Sequence, residues 1–300
     1  MFFRPLSIPT EFRPPRGDAS AATVRLTWLG TAGFVVEHRN TVLLIDPYVS
    51  RLGVASVLLS YLIADRREID RYVPRATHVV AGHSHYDHLM DVPEIARRDR
   101  AVVIGSRSTA ALLRAAGVGE AQLRVVPREG GTVQAGDVTV TLVESRHGRA
   151  LLARVPMPGQ IRDGVRWPAR ARDFRAGDVY GVLVRAGDVT LYHNGSADVV
   201  DATLAGRSAD VLLVGIAGSA HTPDYLGRLV RALSPKVLLP IHYDAFFAPL
   251  DRGLRSLPVA DVGRFLAEAR RVAPGTRVVM PDLLEPIGLA PGGQVFTIGG

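Results

Sequence analysis

After an irregular start, the chain contains three short runs of β-type residues separated by turn residues. The runs are VRLTWLG, FVVEH and TVLLIDP, and they lie between Val24 and Pro47. Gly30, Gly33 and Asn40 lie at or between their ends. Short apolar runs bounded by such residues are typical of strands joined by tight turns. The segment therefore predicts a β-meander.

The pattern then changes to strands that alternate with helices. The apolar run LGVASVLLSYLI, residues 52–63, predicts a helix, and THVVAG predicts the next strand. Pro93 favours a helix over DVPEIARRD, because proline is well tolerated in a first turn. AVVIGS is a further predicted strand. It is followed by STAALLRAAGV, a predicted helix capped by Ser108 and ended at Gly117.

A second strand-rich block follows, in which Gly-Gly and Gly-Asp turns separate alternating runs. After it come the strand DVLLVGIAG, the helix TPDYLGRLVRAL, the strand KVLLPIH and a last helix from about Val259 to Arg271. Thr222 is the predicted N-cap of the first of these helices, and Pro223 its first residue. A strand-rich block followed by βα units thus occurs twice.

Two similar halves, each with a sheet covered by helices, predict an α/β fold of four layers. The arrangement is an αβ/βα sandwich with one continuous core. A chain of 300 residues with 47% hydrophobic residues is long and apolar enough to form it. No linker divides the sequence into independent domains.

The first 22 residues predict an irregular arm ahead of this core. The segment MFFRPLSIPTEFRPPRGD has arginine and proline where a signal peptide needs an apolar stretch, so we expect a cytoplasmic protein. The longest apolar run, residues 52–63, is far shorter than the roughly 20 residues of a membrane span. We therefore expect no integral membrane contact.

Composition limits the chemistry and the partners. The chain has no cysteine, which excludes disulfides, thiolate metal sites and a cysteine nucleophile, so any metal must use nitrogen and oxygen ligands. The net charge is +7, but Lys236 is the only lysine among 36 basic residues. The arginines are interleaved with acidic residues and lack the aromatic and basic signatures of nucleic-acid modules. We expect a small anionic substrate and no dedicated nucleic-acid partner.

One short turn concentrates side chains that bind metals. The segment THVVAGHSHYDHLMDVPEI places His83, His85, Asp87 and His88 within six residues, directly after a predicted strand. This spacing differs from the one-face arrangement of a helical HExxH site. In a loop, His83 and His85 can point to one side and Asp87 and His88 to the other, which predicts two adjacent metal positions. Imidazole and carboxylate suit zinc, manganese or iron.

One turn cannot complete two metal sites, so further ligands must come from other segments. His147 and His242 each end a predicted strand, where open α/β sheets build their sites. His193 lies inside a strand and is a core or supporting histidine, and His221 lies in a loop before a helix. Two histidines in segments without other ligand types are interpreted as structural: His38 and His78.

These residues resemble the metallo-β-lactamase superfamily, whose His-x-His-x-Asp-His signature matches HSHYDH. TWLGTAGFVVE, LLIDP and PIHYD occur in the expected order, so the resemblance extends from about Val24 to Leu289. It implies a domain over residues 23–289 and a C-terminal tail over residues 290–300. The WLG opening, HSHYDH and PIHYD look most like the branch of lactonase-like and phospholipase D-like enzymes.

The resemblance also implies roles for individual residues. One metal would be held by His83, His85 and His147. The second would be held by Asp87, His88 and His242. Asp46, which ends the LLIDP strand, would be a supporting carboxylate that orients a ligand histidine.

The implied activity is hydrolysis of an ester, lactone or phosphodiester by metal-activated hydroxide, with one or two zinc ions per chain, or manganese or iron. Asp87 would hold and orient the nucleophilic water, and His221 is a second catalytic candidate. A nuclease of the same superfamily is an alternative, although such enzymes usually carry an added domain. A non-enzymatic metal-binding protein with a decayed second site is another. The oligomeric state stays open.

The chain departs from the family pattern at one place. Where the family has Gly-Asp-Thr, with the aspartate bridging both metals, this chain has TLYHNGSAD. Ser196 takes the place of the bridging aspartate, and Asp198 lies two residues further on. A neutral serine is a weaker ligand than a carboxylate, so the second metal would be loosely held unless Asp198 reaches it. We favour a cap or turn role for Asp198.

The segment between His147 and Val179 is an irregular, arginine-rich insertion. Its position beside a metal ligand suggests a lid over residues 146–178. Such a lid would offer arginine to a phosphate or carboxylate, and Trp167 or Met157 to an apolar part of the substrate. A solvated excursion without a role in binding is the alternative.

Overall fold

The structure is a computed structural model that describes residues 3–150 and 154–298. Residues 151–153 of the predicted lid lie outside the described residues. The first of two large sheets has eight strands in the order β17-β16-β1-β2-β3-β5-β6-β7. Its strands are β1 (Val24–Gly30), β2 (Gly33–His38), β3 (Thr41–Ile45), β5 (His78–Val80), β6 (Val102–Gly105), β7 (Leu123–Val125), β16 (Pro286–Ala290) and β17 (Gln294–Thr297).

The second large sheet has seven strands in the order β15-β14-β13-β12-β11-β9-β8. Its strands are β8 (Gly130–Ala135), β9 (Val138–Glu144), β11 (Tyr180–Ala186), β12 (Val189–Asn194), β13 (Val211–Gly215), β14 (Val237–Ile241) and β15 (Arg277–Val278). Both sheets join an antiparallel part to a parallel part, β3-β5-β6-β7 in one and β12-β13-β14-β15 in the other. The predicted repetition of the two halves is therefore present.

Helices cover the sheets. They are α1 (Val54–Leu59), α2 (Arg66–Tyr72), α3 (Tyr86–Leu89), α4 (Val92–Asp99), α5 (Arg107–Ala115), α6 (Asp201–Leu204), α7 (Tyr225–Leu233) and α8 (Val262–Val272). Leu229 of α7 and Phe265 of α8 are buried in the same core cluster as the second sheet. Together with the first sheet and its helices, this forms the predicted four-layer αβ/βα sandwich.

Successive side chains along a strand point to opposite faces of the sheet, so the first sheet contributes to two apolar cores. In β3, Leu43 and Ile45 belong to the core between the sheets, whereas Leu44 faces the core under α4 and α5. In β5, Val80 belongs to the core between the sheets, and Val79 belongs to the core under α4 and α5. Strands buried on both faces are apolar at every position, which explains why LLI and VV contain no polar residue.

Two predicted helix starts are wrong. Ser106, not Ser108, caps α5, because its hydroxyl accepts a hydrogen bond from the Thr109 N–H at 3.1 Å. Thr222 does not cap α7, which begins at Tyr225 after Asp224. Its hydroxyl instead donates to the Ala197 carbonyl at 2.8 Å. In both cases a hydroxyl near the helix start forms a tertiary contact that the local sequence does not reveal.

The predicted helix over residues 52–63 is shorter than expected. The helix α1 covers only Val54–Leu59, and Tyr61–Leu62 forms the strand β4. This strand pairs with β10 (Ala169–Arg170), which comes from the insertion. Leu58 is 73% exposed, so the apolar run does not bury itself as its composition suggested. The last helix, α8, begins at Val262 rather than Val259, since Asp261 caps it.

The two ends of the chain pack against the sandwich. The N-terminal arm has two short 3-10 turns, and its Ile8 is buried in the core between the sheets. Residues predicted as a C-terminal tail include the strand β17, which pairs with β16 at the edge of the first sheet. Within the described residues, no helix has the length and apolar character needed to cross a membrane.

Gly30 ends β1 at a point where no side chain fits. Its φ is +84°, and an added Cβ would lie 1.8 Å from Nη2 of Arg51 and 2.7 Å from Oδ2 of Asp244. Gly117 has nearly the same φ, +81°, but nothing lies within 4 Å of the equivalent position. The two glycines therefore separate backbone strain from crowding.

We expect Gly30→Ala to lower the free energy of unfolding by about 3 kcal/mol, because it combines a left-handed alanine with displacement of a buried ion pair. Gly117→Ala should cost about 1 kcal/mol, from the backbone alone. Urea unfolding of both variants measures the difference. Equal losses in the two variants would contradict the argument that Gly30 makes room for the ion pair.

Candidate metal centre

The predicted metal ligands meet at one edge of the sandwich, where strands of both sheets end. Asp46 follows β3, and the histidine-rich turn follows β5. His147 comes after β9, and His242 directly follows β14. Loops at these strand ends carry the side chains, and both sheets hold them in place, as in other open α/β sheets.

Three histidines form the first ligand group. Each of His83, His85 and His147 has a ring nitrogen, and these nitrogens lie within 4.8 Å of one another. His83 Nε2 is 3.0 Å from His85 Nδ1. The second nitrogens are held by backbone: His85 Nε2–H donates to the Pro156 carbonyl at 2.9 Å, and His147 Nδ1–H donates to the Gly148 carbonyl at 2.7 Å. These bonds fix the tautomers and leave one nitrogen of each ring facing inward.

The second group contains one carboxylate and two histidines. Asp87, His88 and His242 also offer ligand atoms within 4.8 Å of one another. Asp87 Oδ2 is 3.3 Å from His242 Nε2 and 3.7 Å from His88 Nε2. The rings of His83 and His88 are 3.8 Å apart, so the two groups are adjacent.

Asp46 binds the nitrogen of His88 that does not face Asp87. His88 Nδ1–H donates to Asp46 Oδ2 at 2.8 Å, and the Gly82 N–H donates to Oδ1 at 2.7 Å. The carboxylate is almost fully buried, with 1% of its side chain exposed. It therefore fixes the His88 ring with Nε2 toward Asp87, in the carboxylate–histidine arrangement common behind metal ligands.

Burial and neighbouring charges set the protonation of both groups. Burial lowers the pKa of His85 to about 4 and that of His147 to about 3. Burial, together with His88, also holds the pKa of His83 well below its usual value. These three rings are neutral at pH 7 and keep their lone pairs.

The second group responds differently. Burial alone would lower the pKa of His88, but the carboxylates of Asp46 and Asp87 outweigh it and raise the pKa. Burial would likewise raise the pKa of Asp87, yet His88 and the contact with His242 hold it well below its usual value. This part of the pocket therefore favours positive charge.

Both groups fit a divalent cation. Neutral imidazoles and a carboxylate are the donors that zinc, manganese and iron accept. Three protein ligands in each group would leave a coordination position open, as in catalytic zinc sites. His242 Nδ1 is buried and has no hydrogen-bond partner among the described residues. The backbone therefore positions the His242 ring, without a hydrogen bond from its second nitrogen.

The backbone of Gly195 and Ser196 approaches one ligand of each group, but the Ser196 hydroxyl is engaged elsewhere. The preceding Gly195 approaches His88, since an added Cβ would lie 3.3 Å from His88 Cε1. The Ser196 carbonyl accepts from the Gly148 N–H at 2.6 Å, beside His147. The Ser196 hydroxyl donates to Asn194 Oδ1 at 2.9 Å. Asn194 thus closes the turn where the family has its bridging aspartate.

The Asp198 carboxylate is engaged by residues outside both ligand groups. Its Oδ1 accepts from the Val199 N–H at 2.7 Å and lies 3.3 Å from Nη1 of Arg228. It belongs to none of the metal-capable groups found in the described residues. The geometry agrees with a turn role for Asp198 and gives it no contact with His88 or His147.

The other candidate histidines belong to neither ligand group. His221 is exposed in a 3-10 turn, Ser219–His221, so the structure does not bring it together with the predicted ligands. His193 is buried and donates from Nε2 to the Ala32 carbonyl at 2.8 Å, which makes it a supporting core residue. His38 donates to the Thr23 carbonyl at 2.8 Å, far from any ligand group.

Sequence patterns missed the backbone part of the site. The Pro156 carbonyl that holds His85 belongs to the insertion, and a carbonyl has no sequence signature. The insertion is further tied to the histidine turn by the Ser84 N–H, which donates to the Ala176 carbonyl at 3.0 Å. Sequence analysis also missed Asp244, although an acidic residue two positions after a predicted ligand was a visible signal.

Comparison with known proteins identifies the family of the chain. Residues 41–243 match the family model of the beta-lactamase superfamily domain. A UPF0173 metal-dependent hydrolase of Ruegeria sp. is 30% identical over 229 residues, 74% of this chain and 87% of that protein. A UPF0173 metal-dependent hydrolase of Archaeoglobus fulgidus is 30% identical over 228 residues, 74% of this chain and 84% of that protein.

A solved structure supports the fold. A possible metal-dependent hydrolase from Veillonella parvula superposes with a TM-score of 0.59 at 17% identity, over 89% of this chain and all of that one. The family model covers more than half of the chain, and it includes the histidine turn, four of the eight strands of the first sheet and six of the seven strands of the second. The chain therefore belongs to the beta-lactamase superfamily and, within it, to the UPF0173 family of metal-dependent hydrolases.

Proposed function

We propose that this hydrolase cleaves a small ester, lactone or phosphodiester, using one or two divalent cations held by the two ligand groups. The observation that carries the proposal is the direct contact of these groups, with the His83 and His88 rings 3.8 Å apart. Two cations at such neighbouring positions can act on the same substrate bond. Zinc is the proposed metal, and manganese and iron suit the same donors.

The residues have distinct roles in this proposal. His83, His85 and His147 hold one cation, and Asp87, His88 and His242 hold the other. A bound divalent cation lowers the pKa of water and polarises the oxygen of the substrate's scissile bond. Asp87 also accepts a hydrogen bond from the attacking water, because its Oδ2 faces the space between His88 and His242. Asp46 keeps His88 oriented throughout.

Other residues shape access rather than chemistry. The insertion lies over His85 through its Pro156 carbonyl, which supports the proposal that it forms a wall or lid of the substrate site. Its exposed arginines, with the net charge of +7, favour an anionic substrate. We assign no catalytic role to His221, since it is exposed and outside both groups.

Metal content is the first test. Purified protein should contain between one and two zinc ions per chain, and His85→Ala should lower both metal content and melting temperature, because bound metal stabilises the folded state. His78→Ala is the matched control, since His78 lies outside both groups. A parent protein that binds no divalent metal at neutral pH, even when zinc is offered, would rule out the proposal.

The reaction is tested with a panel of nitrophenyl esters, lactones and bis-nitrophenyl phosphate, with structured RNA as the nuclease substrate. We expect turnover of one small-molecule class and a loss of at least about a hundredfold in kcat for Asp87→Asn. Circular dichroism checks that the variant is folded. Cleavage of RNA alone would favour the nuclease, and no turnover by metal-loaded protein would favour a non-enzymatic metal binder.

The turn at Ser196 tests the second cation position. Ser196→Asp places a carboxylate between the two ligand groups, so we expect the second zinc ion to bind on the order of tenfold more tightly. Asp198→Ala should leave zinc affinity unchanged, because Asp198 pairs with Arg228. Isothermal titration of both variants measures the affinities. Weaker zinc binding by Asp198→Ala would show that Asp198, not position 196, serves as the bridging site.

A further inference from the structure

Several non-glycine residues near the second ligand group adopt left-handed backbone conformations. Thr31, Arg51 and His242 have φ values of 52°, 45° and 58°. Residues with side chains rarely adopt this conformation, and they keep it only where the surrounding contacts impose it. His242 is a proposed metal ligand, so the contacts that impose its backbone also set the position of its ring.

A buried ion pair supplies those contacts. Arg51 Nη1 lies 2.7 Å from Asp244 Oδ2, and the two side chains are 2% and 3% exposed. The guanidinium also donates to the Leu29 carbonyl at 3.2 Å and to the Tyr48 carbonyl at 3.3 Å. Arg51 is therefore anchored to the end of β1 and to the segment that follows β3.

The ion pair is linked to His242 through Thr31. The Thr31 N–H donates to Asp244 Oδ1 at 2.7 Å. The Thr31 carbonyl in turn accepts from the His242 N–H at 2.9 Å. Asp244 follows His242 by two residues in the chain. The two hydrogen bonds through Thr31 and the backbone between His242 and Asp244 therefore form a closed loop that includes the backbone of His242. The His242 imidazole has no hydrogen-bond partner for Nδ1 among the described residues, so its orientation depends on these backbone contacts together with the packing of Phe246, whose ring centroid is 5.3 Å away.

We propose that Arg51 and Asp244 are positioning residues for His242, which hold its imidazole toward Asp87 and so set the affinity of the second cation position. They correspond in effect to Asp46, which holds His88 directly. The difference is that Arg51 and Asp244 act through the backbone of Thr31 and, among the described residues, form no hydrogen bond with either ligand ring. This inference rests on the proposed metal site.

A purely structural role is the competing explanation, because loss of any buried ion pair destabilises a protein. The chain contains a comparable carboxylate at the start of β5, the opposite end of that strand from the ligand histidines. Asp99 is 1% exposed, accepts from the Ala76 N–H at 2.9 Å and pairs with Arg75 and Arg98. Asp99→Asn therefore removes a carboxylate that also pairs with arginine and accepts a backbone N–H, at a place without any link to His242.

The test compares zinc affinities of Asp244→Asn and Asp99→Asn with that of the parent, by competition with a chromophoric chelator. Cobalt absorption spectra report the geometry of the site independently of activity. We expect Asp244→Asn to weaken the more weakly bound ion on the order of tenfold and to shift the cobalt spectrum. Asp99→Asn should lower the melting temperature and change neither reading.

A double-mutant cycle shows whether the effect passes through His242. In a His242→Ala background, Asp244→Asn should weaken zinc binding by less than about twofold, since the ring that it positions is gone. If Asp244→Asn fails to fold, Arg51→Lys replaces it in the same measurements of zinc affinity. Lysine keeps the positive charge but lacks the three guanidinium nitrogens with which Arg51 contacts Leu29, Tyr48 and Asp244. Zinc affinity equal to the parent's in the folded Asp244 or Arg51 variant would overturn the inference. A parent that binds no zinc would instead overturn the proposed function.

Discussion

The structure depends on holding polar side chains in place after they have been removed from water. Five histidines and two aspartates meet at the edge of the sheets, and six of these seven side chains are almost fully buried. A buried polar group without a partner is unfavourable, so a hydrogen bond on the side that faces away from the metal stabilises a ligand. The Pro156 and Gly148 carbonyls and the Asp46 carboxylate provide that contact for His85, His147 and His88.

This requirement explains what the sequence could and could not predict. Alternating apolar runs predicted the strands and the four layers, because burial on one or two faces leaves a regular pattern. The close spacing of His83 to His88 predicted a metal site without knowledge of the fold. Contacts between distant segments have no such pattern. The carbonyl of Pro156 and the pairing of Arg51 with Asp244 become visible only when the loops are brought together.

The errors in the helices have the same origin. Ser108 and Thr222 are good capping residues by type, yet their hydroxyls contact Gln160 and Ala197 instead. Both contacts connect a helix start to the loops around the ligand groups, so tertiary packing overrode the local preference. The short α1 is a related case, since the residues after it form a strand with the insertion. Local propensity fails most where the insertion and the turn at Ala197 meet the rest of the fold.

The turn at Ser196 shows how one residue type determines which other residues supply negative charge to the site. An aspartate there would supply negative charge between the cations, whereas Ser196 gives its hydroxyl to Asn194. Negative charge in the described part of the pocket then comes from Asp46 and Asp87, which lie on the side of His88 and raise its pKa. The first ligand group consists of neutral imidazoles alone, so the two positions differ in charge as well as in ligand type. A cation in the second position must therefore depend more on the orientation of His88 and His242, and this is where the buried carboxylates of Asp46 and Asp244 lie.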